Sequence, residues 1–278
     1  MYGCGLVNHI MPGLDEKNMM HIPFYRVNSF AREPFSGNPA GVCLLDKWLP
    51  DEMLQSIAAE NNMSETAFLV PREDDYDLRW FSPAVEVDLC GHGTLASAHV
   101  IFDVVSKDAK RVTFMSKSGR LSVEKQDGLL WLDFPSLKPA PCVVPDGLET
   151  VLGVAPSNVL AARDLMVVFD DEQIVRDLKP DMEGIARLDF QGLIVTAPGS
   201  RLDFVSRFFA PSIGVPEDPV TGAAHCTLIP YWAERLNKAD LHAFQLSRRG
   251  GELFCRNRSE RVSIGGRAVT YCSGTITI

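Results

Sequence analysis

The chain has 278 residues, of which 46% are hydrophobic and 23% are charged, and its formal net charge is −9. This composition is typical of a folded globular protein. Because the negative charge repels phosphate backbones and anionic headgroups, we predict that the protein binds neither nucleic acid nor membranes. Its seven cysteines are irregularly spaced, which argues against a disulfide framework and a structural zinc site. They favour a reducing, cytoplasmic location.

The first residues do not form a pattern that predicts a folded element. They lack the basic start of a signal peptide, and Pro12 interrupts their apolar stretch. The first convincing strand pattern begins at His21, directly after Met19 and Met20. We therefore predict that residues 1–19 are an N-terminal extension.

Short strand-like runs alternate with helical segments along the rest of the chain. The predicted strands in the first part are 24–30, 41–45, 67–70, 78–81, 111–115, 121–124 and 129–134. The predicted helices are 51–60, 94–105 and 223–234. Because the helix at 94–105 is apolar on almost every face, we predict that it is buried.

An internal repeat divides the chain into two parts. Residues 79–87 resemble residues 207–215, and both segments follow the pattern Arg, aromatic, Phe, small, Pro, small, β-branched, any residue, Val. The repeat predicts two homologous lobes, 20–131 and 132–278. The Pro-rich stretch at 135–141 is the predicted linker, and the last strand is a candidate to return to the N-terminal lobe.

Two weaker internal similarities occur in the same order in both parts of the chain. A turn at 118–121 recurs at 250–253, and Glu65 heads a strand-like segment whose copy begins with Gly192. The alignment also pairs Cys90 with Asp218. Together the repeat and these similarities predict an α/β (α+β) fold of two pseudo-symmetric lobes, each a curled, mostly antiparallel sheet around a central helix.

Glu65 is the first candidate for acid–base chemistry. It precedes the core-strand residues Ala67 and Phe68, which would bring it to the crevice between the lobes. The alternative is an exposed turn residue. The repeat does not require a carboxylate here, since the copy has glycine.

Two loops lead into the predicted central helices. The loop at 90–94 contains Cys90 and His92, and the loop at 218–223 contains Asp218. The N–H groups at a helix start favour anions, so these loops are candidates to bind a substrate carboxylate. Asp218 is either a helix cap or a carboxylate that holds a substrate amine or hydroxyl.

Cys90 is a candidate nucleophile or base if its thiolate is stabilised at the helix start, and otherwise a small buried residue. A racemase with two opposed bases needs one from each lobe, and the loops do not offer two matched thiols. We interpret His99 and His225, which the sequence places at matching helix positions, as core residues or as residues that support the site without contacting the substrate. No residue spacing matches a metal site or a dinucleotide or phosphate loop, so we predict neither metal nor cofactor.

Five motifs together resemble the PhzF-like phenazine-biosynthesis isomerase family. They are Phe-Ser-Gly-Asn-Pro-Ala-Gly-Val at 35–42, Ser-Glu-Thr-Ala-Phe at 64–68, Asp-Leu-Cys-Gly-His-Gly-Thr at 88–94, Glu-Asp-Pro-Val-Thr-Gly-Ala-Ala-His at 217–225 and Arg-Gly-Gly-Glu-Leu at 249–253. The resemblance implies the diaminopimelate-epimerase-like fold, a homodimer, no cofactor and a small carboxylate-bearing substrate.

The resemblance also implies roles for individual residues. The proton-shuttling Glu of the family maps onto Glu65, and His92 and Asp218 assist it as catalytic residues. The implied substrate-binding residues are Ser36, Asn38, Gly91, Gly93, Thr94, Thr221, Gly222 and Ala223. Ala223 replaces the usual Ser, so a hydroxyl contact is lost and a different substrate is expected. Gly93 replaces a common Ala.

Three functions are therefore considered. The leading hypothesis is a cofactor-independent isomerase with Glu65 as base and then acid. The second is an amino-acid epimerase that depends on Cys90. The third is a binding or scaffold protein that has kept the fold without the chemistry.

Overall fold

The computed structural model describes residues 19–278. The helices are α1 (Asp51–Asn61), α2 (Gly91–Val100), α3 (Leu148–Leu152), α4 (Glu172–Asp177), α5 (Met182–Ala186) and α6 (Gly222–Leu236). A π-helical turn, Ile101–Val105, extends α2, and a 3-10 turn, Pro211–Ile213, lies before α6.

The strands of the N-terminal part are β1 (His21–Ser29), β2 (Asn38–Leu44), β3 (Glu65–Pro71), β4 (Tyr76–Phe81), β5 (Glu86–Val87), β6 (Arg111–Ser116), β7 (Gly119–Gln126) and β8 (Leu129–Pro135). Those that follow are β9 (Ala140–Pro141), β10 (Asn158–Ala161), β11 (Leu165–Val168), β12 (Leu193–Pro198), β13 (Phe204–Phe209), β14 (Asp240–Gln245), β15 (Gly251–Arg258), β16 (Arg261–Gly266) and β17 (Ala268–Thr277).

The strands form one continuous curled sheet with internal pseudo-symmetry. Strand β8 pairs with β16 and joins the two halves. Two strand pairs in each half are parallel. The pair β2–β3 corresponds to β11–β12, and the pair β4–β6 corresponds to β13–β14. The intervening pairs are antiparallel in both halves. The pseudo-symmetric α/β fold predicted from the repeat is therefore confirmed.

The chain ends in the N-terminal half, because β17 pairs antiparallel with β1 along its length. The predicted lobe boundary between residues 131 and 132 falls inside β8, which pairs with both β7 and β16. The limits 20–131 and 132–278 stay a prediction. The predicted extension, apart from Met19, lies outside the described residues. Within residues 19–278, no helix is both long and apolar enough to cross a membrane.

Helix α2 is buried within the N-terminal half. Leu95, Ala96 and Ala98 are fully buried, as the apolar pattern predicts, and α2 packs against β2 and β3. The predicted helix start at residue 94 is three residues too late. Glycines favour turns in sequence-based prediction, but here Gly91 and Gly93 belong to the first turn of the helix.

The starts of α2 and α6 correct two pairings that the sequence alignment predicts. Cys90 directly precedes α2 and Thr221 directly precedes α6, so these two residues are equivalent. The pairing of Cys90 with Asp218 is wrong, because the loop into α6 is longer than the loop into α2. Likewise, His225 lies in the second turn of α6 whereas His99 lies near the end of α2, so their positions do not match.

Candidate active site

The N-terminal ends of α2 and α6 meet where the two halves face each other. A methyl group placed on Gly91 would lie 3.6 Å from Cα of Gly222, and one placed on Gly222 would lie 3.7 Å from Cα of Gly91. Both helix ends carry N–H groups without an intrahelical partner and a partial positive charge. The two loops singled out in the sequence therefore come together, and an anion bound here would contact both helix starts.

Glu65 is the first residue of β3 and lies beside this junction. Its backbone is fixed by the parallel register of β3 with β2, where it is paired with Ala40. Its Oε2 lies 3.0 Å from Nε2 of His92, but without hydrogen-bond alignment, and this oxygen has no hydrogen-bond partner among residues 19–278. The structure thus brings the candidate acid–base group to His92 and leaves one carboxylate oxygen available.

His92 is the second residue of α2 and is buried. Ser29 holds the local backbone, since its hydroxyl donates a hydrogen bond of 2.7 Å to the carbonyl oxygen of His92. Burial alone would lower the pKa of His92. The neighbouring acidic groups Cys90 and Glu65 outweigh burial, however, and raise this pKa well above the ordinary 6.5. This direction favours the imidazolium form of His92 beside the Glu65 carboxylate.

This raised pKa makes stability depend on pH in a defined direction. The contribution of protonated His92 to folding is complete below about pH 6.5 and is lost as the pH rises through the raised pKa. We expect His92→Gln to destabilise the protein most below pH 6.5, with a difference that shrinks at alkaline pH. Urea unfolding of both proteins across this range measures the difference. His21→Gln, at an exposed histidine, is the control, and a pH-independent difference would contradict the assignment.

Cys90 contacts both the helix and the His92 ring. Its Sγ accepts a hydrogen bond from the N–H of Gly93 at 3.3 Å and lies 3.6 Å from Nδ1 of His92. Burial raises the pKa of the Cys90 thiol, although His92 acts in the opposite direction. A neutral thiol is a poor nucleophile and a poor base. Burial thus disfavours the thiolate, and Sγ caps the first turn of α2 by accepting from Gly93.

Asp218 lies on the other side of the junction in a network that links the two halves. Asn38, at the start of β2, donates from Nδ2 to Oδ1 of Asp218 at 2.8 Å and to the carbonyl oxygen of Val220 at 3.0 Å. The hydroxyl of Thr221 donates to Oδ2 of Asp218. Burial raises the pKa of Asp218, although the charge of His92 and the bond from Thr221 lower it. Electrostatic coupling thus extends from His92 to Asp218.

Gln245, the last residue of β14, completes this network and was not found in the sequence. Its Oε1 accepts from the N–H of Thr221 at 2.9 Å, and its Nε2 donates to the carbonyl oxygen of Asp218 at 2.8 Å. The residue is fully buried. The signal that could have found it is the alternation of buried and more exposed residues along β14, in which Gln245 continues the buried series of Leu241 and Ala243. A polar side chain in that phase needs partners.

Three predicted binding residues have no side-chain donor free for a ligand, because two hydroxyls form internal hydrogen bonds and alanine has no polar group. The hydroxyl of Ser36 donates to the carbonyl oxygen of Glu33 at 2.8 Å, so it is used within its own turn. The hydroxyl of Thr94 donates to the carbonyl oxygen of Cys90 at 2.6 Å and is fully buried. Ala223, in the first turn of α6, is partly exposed at the helix start. Thr94 also donates its backbone N–H to the carbonyl oxygen of Cys90 at 3.0 Å, so both of its donors are used.

Gly93 is required by its neighbours. A methyl group at this position would lie 2.8 Å from Cδ1 of Trp80 and 2.9 Å from Sγ of Cys90. Such contacts are shorter than real side chains tolerate, and Trp80 is fully buried and cannot move away without repacking. The glycine that departs from the family pattern is thus explained by the indole ring packed against the start of α2.

The two-lobed sheet and the two facing helix starts define the class of α/β folds that epimerases share. A solved hydroxyproline epimerase from Agrobacterium vitis has a TM-score of 0.61 to this chain at 11% identity, and the match covers 95% of this chain and 94% of the epimerase. At this identity the likeness concerns the fold alone.

The family is shown by closer matches. A family model described as phenazine biosynthesis-like protein, PhzC-PhzF, matches residues 27–274, and the chain belongs to this family. It is 53% identical over 260 residues to a Pseudomonas aeruginosa protein named as an uncharacterized isomerase, covering 93% of this chain and 100% of the relative. A PhzF-family structure from Enterococcus faecalis has a TM-score of 0.91 at 46% identity, covering 93% of this chain and 100% of that one. The resemblance predicted from the motifs is confirmed.

Proposed function

We propose that the protein is a cofactor-independent isomerase that moves a proton within a small carboxylate-bearing substrate, with Glu65 as the acid–base group. The observation that carries the proposal is the pairing of Glu65 Oε2 with His92 Nε2 at 3.0 Å, beside two facing helix starts. The name of the Pseudomonas aeruginosa relative, an isomerase, supports the reaction class.

In the proposed reaction the Glu65 carboxylate removes a proton from a substrate carbon. The electron pair left behind is delocalised into the unsaturated or carboxylate-bearing part of the substrate. The proton on the partly exposed Glu65 carboxyl exchanges with solvent, and Glu65 then delivers a proton to another carbon, so that the bonds rearrange without oxidation or reduction. The His92 imidazolium would orient the Glu65 carboxylate and stabilise negative charge that develops on the substrate.

The remaining groups would bind and orient the substrate. First-turn N–H groups of α2 and α6, including those of Gly222 and Ala223, would hold the carboxylate. Asp218 and Asn38 would accept hydrogen bonds from an amine or hydroxyl. This role is supported by Oδ1 of Asn38, which is buried and has no hydrogen-bond partner among the described residues. A buried acceptor without a partner is costly unless a ligand or water supplies a donor.

The epimerase alternative is less well supported. Two-base inversion requires a second base opposite Cys90, and the equivalent position before α6 holds Thr221. Burial also raises the pKa of the Cys90 thiol. The scaffold alternative does not account for a buried His92 placed against Glu65 and for acceptor atoms left unpaired at the same junction.

The proposal is tested by solvent isotope exchange. The protein is incubated in deuterium oxide with a panel of small cyclic amino and hydroxy carboxylates that contain a carbon–carbon double bond, and the products are followed by NMR. We expect a positional isomer that carries deuterium, with a similar rate in Cys90→Ser. Inversion at one carbon that is lost in Cys90→Ser would favour the epimerase, and binding without exchange would favour the scaffold.

The proposal also includes the assembly and location predicted above. We propose a homodimer that works in the cytoplasm. The irregular spacing of the cysteines supports a reducing compartment. Sedimentation of the purified chain tests the assembly directly, and a monomer at micromolar concentration would refute it.

A further inference from the structure

Glu65, Cys90 and His92 form a mixed set of metal-ligand atoms. One carboxylate oxygen, one sulfur and one ring nitrogen all lie within 4.8 Å of one another. Cys90 and His92 are buried, and 19% of the Glu65 side chain is exposed. Within residues 19–278, this is the one group of three or more such side chains close enough to share an ion.

The spacing of these atoms is close to that of a tetrahedral zinc site. Zinc bonds of about 2.0–2.3 Å at tetrahedral angles place neighbouring ligand atoms about 3.3–3.6 Å apart. Here Oε2 of Glu65 lies 3.0 Å from Nε2 of His92, and Sγ of Cys90 lies 3.9 Å from the same nitrogen. The Glu65 oxygen and the Cys90 sulfur lie within 4.8 Å of each other, so a shared ion would require the side chains to rotate toward a common point.

A second observation points to a ligand at this position. Oε2 of Glu65 is buried and, among the described residues, contacts only the His92 ring, 3.0 Å away and without hydrogen-bond alignment. No Lys or Arg of residues 19–278 forms an ion pair with Glu65. A thiolate and a carboxylate together carry two negative charges, so a divalent cation would leave the occupied site neutral.

We propose that Glu65, Cys90 and His92 bind a thiophilic divalent cation such as Zn²⁺, and that the bound cation inhibits the enzyme. On binding, two protons pass to solvent, one from the Cys90 thiol and one from the His92 imidazolium, so that the thiolate sulfur, the freed ring nitrogen and a Glu65 carboxylate oxygen each form a bond to the metal. The fourth position would hold water or a substrate carboxylate. The inhibition, but not the binding, rests on the proposed function, since a coordinated Glu65 oxygen no longer accepts a proton from carbon.

Cobalt is the probe for binding, because tetrahedral Co²⁺ bound to a thiolate absorbs by sulfur-to-metal charge transfer. Tag-free wild-type protein titrated with Co²⁺ is expected to develop this band with one ion per chain and to lose it on addition of Zn²⁺. Cys90→Ser keeps an acceptor for the N–H of Gly93 but removes the soft ligand, so we expect binding at least about tenfold weaker and no charge-transfer band. Cys226→Ser, at another buried cysteine, is the matched control.

Each result decides one part of the proposal. Absence of the band in the wild type, or an equal band in Cys90→Ser, overturns the metal site whatever the activity. If the wild type isomerises a substrate and Zn²⁺ at saturation leaves the rate unchanged, the inhibition is refuted while the site stands. If the wild type binds Co²⁺ through Cys90 but catalyses nothing, the proposed isomerase function fails and the metal site remains.

Discussion

Glu65→Gln is expected to lower the rate of isomerisation by roughly 10²–10⁴-fold, the usual contribution of a positioned acid–base group. Glutamine has nearly the same shape and can still lie against His92, but it cannot accept a proton from carbon. Because Glu65 heads β3 at the junction and is paired with Ala40 through backbone atoms, the substitution leaves the sheet intact. The rate is measured with the substrate found by isotope exchange.

Glu60→Gln is the matched control, because Glu60 lies exposed on α1. It should change the rate by less than about twofold, as surface substitutions away from a site usually have small effects. Urea unfolding of both variants separates lost chemistry from lost folding. A Glu65→Gln protein that still exchanges deuterium at the wild-type rate would remove Glu65 from the proposed mechanism.

The fold was largely predictable because the sequence repeats its strand–turn–helix pattern. The segments at 79–87 and 207–215 predicted equivalent strands, and β4 and β13 confirm this. What an ungapped alignment could not find was the longer loop before α6, which shifted the pairing of Cys90 from Thr221 to Asp218. Loop insertions change the register without changing the hydrophobic pattern of the flanking elements.

The candidate site was predictable as a set of residues but not as an arrangement. Motif positions identified Glu65 and His92, yet their contact depends on how β3 lies beside the start of α2. The bond between Asn38 and Asp218 joins residues 180 positions apart, and no local pattern specifies it. Gln245 lies in the buried alternation of β14, which marks a polar residue that needs partners, but the partners themselves lie in a distant loop and could not be predicted from the strand.

Asp218→Asn is expected to lower kcat/KM by roughly 10²-fold, the lower range for a residue that assists proton transfer, without lowering stability at neutral pH. Burial raises the pKa of Asp218 above its ordinary 3.8. A carboxyl with a raised pKa destabilises the folded state once it ionises. This cost is absent below about pH 3.8 and complete above the raised pKa, and asparagine does not incur it.

The hydrogen bonds of the network can survive this substitution. The amide oxygen of asparagine still accepts from Asn38, and its amide nitrogen can donate to the hydroxyl of Thr221, which now acts as the acceptor. Unfolding experiments from pH 3 to pH 8 should therefore show the variant gaining stability relative to the wild type as the pH rises. Asp189→Asn, at an exposed position, should show no such trend.

Loss of activity together with retained stability would separate a functional carboxylate from a structural one. Buried ionisable groups that destabilise the fold are expected where function requires their charge. If Asp218→Asn instead keeps the wild-type rate, the carboxylate acts only as a link between Asn38 and Thr221, and the substrate amine or hydroxyl must be held by other atoms of the junction. If it loses both rate and stability, the charge of Asp218 is part of the attraction between the two halves.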